Sequence, residues 1–276
     1  MIRWAFNNNL WAGTFTVLQG TVAPNYSLVS LAYPERPFWP LRTVDKTSFI
    51  LKIDWGAQYA VNTVALFNCN MTYCYVSLSN SPTFAVAPYE NLVFNPIPRN
   101  PYNGRLQGWQ RTASFPNPSN PNSPNWTLYR YAYLVLDGNA AANCPDPYFQ
   151  IGGMFIGPAA YTPRDIAWNY KPTIVMPRID VAPAHEGWKQ RIIAGAPITR
   201  LSMHRLTMRA GPPAKYDQLR SWLDTETTWE QYDRVLVMLR DDDPGLTWMM
   251  RRTSQPEWDV AQDFPESDWE LEEVIR

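Results

Sequence analysis

The sequence predicts a mainly β protein, and three observations carry that prediction. Proline is abundant at 26 of 276 residues, and 13 tryptophans, 15 tyrosines and 11 phenylalanines bring the aromatic share to 14%. Proline punctuates loops, and aromatic side chains suit a half-buried pleated surface. Charged residues reach only 18%, against roughly 25% in an average globular domain, which leaves little to coat the outside of a helical bundle. Several segments alternate with a period of two, whereas a convincing helical period occurs once.

Taken in order, residues 1–44 hold aromatic clusters (Trp4, Phe6, Trp11, Phe15) broken by Asn7-Asn8-Asn9 and by Pro24, Pro34, Pro37 and Pro40. From Ile50 to Trp55 the alternation is clean: Ile50, Lys52 and Asp54 share one face, Leu51, Ile53 and Trp55 the other. Gly56-Ala57-Gln58 then reads as a turn. Val61 to Asn68 is a β-rich apolar strand, with Tyr73 to Asn80 as its expected neighbour. Residues 95–126, rich in proline and asparagine, read as one long irregular loop. Tyr129 to Leu136 is an apolar strand, and Tyr148 to Ile156 another, interrupted by Gly152-Gly153.

A boundary follows. The proline-rich stretch 158–172 and a rise in charge place it between Gly157 and Lys171, giving domains of about 1–165 and 166–276. In the second, Ile198 to Met208 alternates as a strand. Pro213 to Asp224 reads as a helix, with Tyr216, Leu219 and Leu223 spaced by three and four. Arg234 to Leu239 is a buried strand ended by the turn Asp241-Asp242-Asp243-Pro244-Gly245, and Leu246 to Arg251 returns as its partner.

The charge balance argues against one class of partner. With 24 basic and 25 acidic residues the net charge is −1, so no basic excess points to nucleic acid as a partner. No apolar run approaches the roughly 20 residues that span a bilayer, and the N-terminus lacks a secretory signal pattern, so a soluble protein made in the cytoplasm is expected. Three cysteines cannot all pair; Cys69 and Cys74 are close enough to face each other across a hairpin, but free buried thiols are the more economical reading.

Catalytic constellations are scarce. His185 begins a pattern like the zinc-protease helix, but its fifth position is Lys189, so the second ligand is lost. His204 falls on an expected strand. No nucleophile elbow, phosphate-binding glycine loop or dinucleotide fingerprint occurs. Asp241 to Asp243 are turn formers, and the acids of the first domain form no recognisable pair. No catalytic, cofactor or metal residues are therefore assigned, and a non-enzyme is expected.

What stands out is aromatic and arginine residues in loops. Trp39 and Arg42 lie in one, and Tyr102, Arg105, Trp109 and Arg111 in another; such side chains suit sugar rings and protein partners alike, though Trp39 and Trp109 could equally cap the ends of a sandwich. In the second domain, Arg205, Arg209 and Trp222 are the residue types that anchor interfaces.

Put in order, these phrases carry a resemblance. Trp11, the loop from Tyr33 to Leu41 (Tyr-Pro-x-x-x-x-Trp-Pro-Leu), Ile53-Asp54-Trp55-Gly56, Val61 to Asn70, Val76 to Asn80, Trp109 and the closing phrase Tyr148 to Gly157 follow one another. The first 165 residues resemble the galactose-binding, discoidin-like β-sandwich of many phage and prophage structural proteins, with Gly153 where that pattern usually has arginine. Residues 187–276 resemble the small tube-like domain of phage distal-tail and minor tail proteins. The resemblance implies a jelly-roll or discoidin-like sandwich plus a smaller β-rich α+β domain. It implies a structural virion protein of a bacteriophage tail tip or baseplate, made in the host cytoplasm and joined to tube, hub or baseplate subunits, as a homo-oligomeric ring. The alternative is a module that binds host surface glycan or, further off, a glycan-degrading enzyme.

Overall fold

The computed structural model describes residues 3–5, 8–33, 40–84, 90–98, 106–111, 127–161, 170–175, 178–180, 192–194, 198–207, 234–238, 247–253, 258–259 and 266–273. Its strands begin with β1 (Arg3–Ala5), β2 (Thr14–Gln19), β3 (Leu41–Arg42), β4 (Phe49–Val61), β5 (Thr63–Cys69), β6 (Cys74–Ser79) and β7 (Glu90–Phe94). Next come β8 (Ile97–Pro98), β9 (Leu106–Arg111), β10 (Thr127–Leu136), the short helix α1 (Gly138–Ala142), β11 (Gln150–Ile151), β12 (Gly153–Gly157) and β13 (Ala160–Tyr161). The remainder are β14 (Tyr170–Val175), β15 (Arg178–Asp180), β16 (Ile192–Ala194), β17 (Ile198–Thr207), β18 (Arg234–Met238), β19 (Thr247–Arg252), β20 (Trp258–Asp259) and β21 (Glu266–Glu273). The protein is mainly β, as its composition predicts.

The chain divides into two compact units. The first comprises residues Met1–Tyr161 with Val235–Thr247, the second Thr162–Arg234 with Trp248–Arg276. The first is built on two antiparallel sheets, one in the order β2-β4-β10-β6-β7 and the other β12-β5-β9-β8. Their inward faces share one core. Leu51 and Ile53 of β4, Val76 and Leu78 of β6 and Leu134 of β10 meet Val64 and Leu66 of β5 and Met154 and Ile156 of β12. A two-sheet β-sandwich is the result. In the same unit β1 pairs with β13 and β18. In the second unit β17 pairs with β14 and β21, β21 also takes β19 and β20, and β15 pairs with β16.

The alternation of β4 holds residue by residue: Phe49, Leu51, Ile53 and Trp55 are buried while Ile50, Lys52 and Asp54 are half-exposed. Beyond Trp55 three expectations need correction. Residues 56–58 do not turn the chain; Gly56, at φ 71°, sits in a bulge of β4, which continues to Val61. Residues 55–58 there lie opposite the single residue Arg130, between the pairs Tyr129–Tyr59 and Tyr131–Asp54. A bulge absorbs extra residues and bends a strand without ending its ladder. Second, β5 and β6 are not neighbours. Each belongs to a different sheet, because residues 70–73 carry the chain from one sheet to the other. Third, residues 95–126 are not uniformly irregular. Ile97–Pro98 and Leu106–Arg111 form β8 and β9, recruited because β5 offers its backbone to Leu106–Arg111 whatever their side chains. The helix expected over 213–224 and the turn at 241–245 lie outside the described residues, and α1 has no counterpart among the expectations. Its N-terminus is fixed by Asp137, whose Oδ1 accepts from the backbone N–H groups of Asn139 and Ala140 at 2.9 and 3.1 Å, ordinary capping chemistry.

Three buried or half-buried asparagines act as pieces of backbone. Asn8 Nδ2 donates to the carbonyl of Met154 at 3.0 Å, and its Oδ1 accepts from Ile156 N at 3.1 Å. Asn62 makes the same two-way contact with Ala159, at 2.9 and 2.7 Å. Asn70 Oδ1 accepts from Gln150 N at 2.8 Å, while Nδ2 donates to Tyr148 O at 2.8 Å. A carboxamide offers one acceptor and two donors, so it can complete a ladder where strands end. Gly152, between β11 and β12, is required by the same crowding: a Cβ there would lie 2.6 Å from Cβ of Asn68.

Candidate functional site

Arg42 is the one proposed ligand-surface residue whose side chain the structure describes, and it sits at the end of β3. Pairing with Gln150 of β11 brings it beside residues 143–149. Its carbonyl accepts from Ala23 N at 2.8 Å, which draws in residues 20–33. Three segments, one of them more than a hundred residues away in sequence, therefore converge. The guanidinium carbon lies 3.4 Å from the ring centroid of Tyr148 and 5.6 Å from that of Tyr26, and Nη1 donates to the Tyr26 hydroxyl at 3.2 Å. All three residues are half-buried. A guanidinium held over an aromatic face is attracted by the ring quadrupole, by about 0.5–2 kcal/mol.

The surroundings hold this stack in place. Asn70 Nδ2 donates to Asp146 Oδ2 at 2.9 Å as well as to Tyr148 O. Lys46 Nζ donates to Cys144 O at 2.7 Å. Thr43 N donates to the carbonyl of Phe149 at 3.0 Å, the Phe149 N–H donates to Thr43 Oγ1 at 2.9 Å, and Thr43 Oγ1 donates to the carbonyl of Asp45. Beside the stack, Val44 is 55% exposed, an apolar side chain left in water. Asp45 accepts from Thr47 N and Oγ1 at 2.9 and 2.8 Å, and these bonds lower its pKa.

Of the other proposed residues, Trp109 and Arg111 lie on β9 and not in a loop, opposite Ala65 and Thr63 of β5. Arg205 lies on β17, as does His204. Trp39, Tyr102, Arg105, Arg209, Trp222 and His185 fall outside the described residues. The sequence reading missed Tyr26 and Tyr148. Neither carries a local pattern, and their only signal is position within Pro-Asn-Tyr and Asp-Pro-Tyr turn sequences.

A second charged constellation lies at the β4 bulge. Arg130 Nε donates to Asp54 Oδ1 at 3.1 Å, and Gly56 N to the same oxygen at 2.8 Å. Lys52 Nζ and the Arg130 guanidinium lie 4.7 and 5.1 Å from the Tyr131 ring centroid. The Arg130 hydrogen bond above all holds the Asp54 carboxyl below its usual value, against partial desolvation, with help from Gly56 N–H. A depressed carboxylate pKa stabilises the fold above the unfolded value near 4 and loses that contribution as pH falls through the folded value. The pair is part-exposed, so the expected loss on acidification below about pH 4 is at most about 1 kcal/mol. Urea titrations across pH should show this loss in the wild type and its absence in Asp54→Asn; identical pH profiles would refute it.

Nucleophilic chemistry finds no support in the thiols. Cys69, Cys74 and Cys144 are free and buried, as the sequence reading expects, and burial pushes all three thiols up, away from the reactive thiolate. Among the described residues no cluster of His, Cys, Asp and Glu could hold a metal ion, and no helix is long and apolar enough to cross a membrane.

Strand order and the shared core define the first unit as an antiparallel β-sandwich with an arginine–tyrosine stack beside β3 and β11. Neither a protein-family model nor a curated protein sequence matches the chain. Among solved structures, it is similar to a fucosidase from Ruminococcus gnavus in complex with fucose, at 12% identity and a TM-score of 0.40. That match takes in 56% of this chain and 27% of the fucosidase, so the chain spans about a quarter of that enzyme's length. It is similar to chitosan-binding module 1 of a chitosanase/glucanase from Paenibacillus, at 9% identity, over 55% of this chain and 99% of the module, with a TM-score of 0.39. A third is a fucolectin from striped bass (Morone saxatilis) serum, at 13% identity, over 74% of this chain and 71% of the lectin, with a TM-score of 0.40.

Proposed function

We propose that the first unit is a non-catalytic binding module that takes a carbohydrate at the Arg42–Tyr148 stack. The observation that carries this reading is the guanidinium fixed 3.4 Å from the Tyr148 ring between segments distant in sequence. Aromatic faces pack on the C–H faces of sugar rings, and guanidinium, amide and carboxylate groups nearby serve hydroxyls. Tyr26 and Tyr148 supply the first kind of surface, Arg42 and Asp146 the second. The supporting segments are tied by hydrogen bonds, so little ordering is needed on binding.

A glycan array on the full chain tests the reading. Wild-type protein should give hits that Arg42→Ala and Tyr148→Ala both lose while melting within a few degrees of wild type. Hits that survive both substitutions, or release of reducing ends from a bound glycan, would count against it.

The resemblance of both halves to phage tail-tip proteins supports a setting for this module: a subunit of a bacteriophage tail tip or baseplate, carried in the virion and joined to other tail proteins through the second unit. In that setting Arg205, Arg209 and Trp222 are assembly contacts. Variants at these positions that melt normally should enter virions poorly, and normal incorporation would reject the interface.

A further inference from the structure

Resting on that reading of the stack, we infer that the sugar bound at Arg42 is acidic, bearing a carboxylate or a sulfate. A guanidinium presents five N–H donors in a planar fork. Arg42 uses Nη1 on the Tyr26 hydroxyl, and among the described residues no carboxylate pairs with it. Among the described residues of these segments, the two carboxylates are engaged elsewhere. Asp45 accepts from Thr47 N and Oγ1, and Asp146 accepts from Asn70 Nδ2. Lys46, the other cation among the described residues here, is turned to the carbonyl of Cys144.

A half-buried cation without a counter-charge is costly to maintain and strongly favours a partner that neutralises it. Two oxygens of one anionic group match the guanidinium fork; separate neutral hydroxyls do not. The other arginines whose side chains are described each meet a carboxylate. Arg130 has Asp54 at 3.1 Å, and Arg200 and Arg251 share Glu272 at 3.2 and 3.5 Å. Among the described residues Arg42 is held by rings in place of a carboxylate, so its charge stays available and its plane stays fixed. The ring of Tyr148 then takes the role of an orienting wall, and the anion approaches the edge of the guanidinium plane.

The test uses the full chain in affinity electrophoresis against four polymers: polygalacturonate, its fully methyl-esterified form, dextran sulfate and plain dextran. Wild type should be retarded by one acidic polymer and not by its uncharged counterpart. Salt at about 1 M, where screening acts within about 3 Å, should weaken that retardation. Arg42→Gln should lose roughly tenfold or more in affinity, and Arg42→Lys, which keeps the charge without the fork, should fall between. Which acidic polymer binds separates carboxylate from sulfate. Equal binding to an uncharged polymer that still needs Tyr148 would overturn the acidic ligand and leave the glycan reading standing. Acidic binding undiminished in Arg42→Gln would mark charge attraction elsewhere and overturn the inference. Binding to none of the four also overturns it, and a glycan array without Arg42-dependent hits would then remove the reading beneath it.

Discussion

Replacing Asn62 with alanine is expected to cost the fold about 2–4 kcal/mol, far more than its size suggests. Asn62 is 1% exposed and bridges the start of β5 to Ala159, donating to its carbonyl and accepting from its N–H. Thr63 Oγ1 donates to the same oxygen at 3.0 Å. Alanine removes no large apolar surface, so the loss comes almost wholly from buried polar groups left unmatched. Ala159, itself 3% exposed, has no water at hand to replace the lost amide. Urea denaturation should show the lowered midpoint with an unchanged slope. Asn62→Asp should be no better, because a carboxylate sets oxygen against oxygen at Ala159. A loss below about 1 kcal/mol would mean that Ala159 finds other partners.

Phe49→Ala should cost about 3–5 kcal/mol, the range for a large side chain removed from a core that cannot close over the space. Phe49 opens β4 at 1% exposure and belongs to the core shared by the two sheets. Its ring is confined from outside by Gly20, where an added Cβ would lie 2.9 Å from Phe49 Cδ2. Gly20 has φ 85°, so that segment is fixed in a shape other residues resist and offers no easy collapse. Three residues on, Lys52→Ala should cost under about 1 kcal/mol, since it removes a bond to Pro82 O, a contact with Tyr131 and a weak attraction to Asp54. Thermal and urea denaturation of the two variants would check the contrast directly. Similar losses at both positions would contradict the in–out assignment of β4.

That assignment was legible from sequence because a strand buried on one face must alternate, and Ile50 to Trp55 does so without a break. What alternation cannot reveal is pairing. Nothing in Val61 to Asn68 or Tyr73 to Asn80 says whether the short link between them is a hairpin or a crossing, since both strands are buried along nearly their whole length and suit either sheet. β9 was hidden for the opposite reason. Leu106–Arg111 lacks a β pattern and is a strand because β5 recruits its backbone. The stack was half legible. Arg42 stands out beside Trp39 as an arginine among aromatics, but Tyr148 reaches it only after β3 and β11 pair across more than a hundred residues. The asparagines misled in a further way: a run such as Asn7-Asn8-Asn9 reads as a chain break, yet Asn8 is a strut of the sandwich.

Those struts also bear on how the protein ages. Deamidation proceeds when the backbone nitrogen of the following residue attacks the asparagine side-chain carbonyl, which requires that carbonyl carbon to swing free. In Asn8, Asn62 and Asn70 both ends of the amide are held, so the folded chain shields these three from a lesion that asparagine-rich sequences otherwise invite. The shield lasts only as long as the fold. A molecule that opens long enough to convert Asn62 to aspartate returns with a carboxylate facing the carbonyl of Ala159. Chemical damage at this position is therefore expected to accumulate through repeated unfolding and to leave behind chains that no longer close.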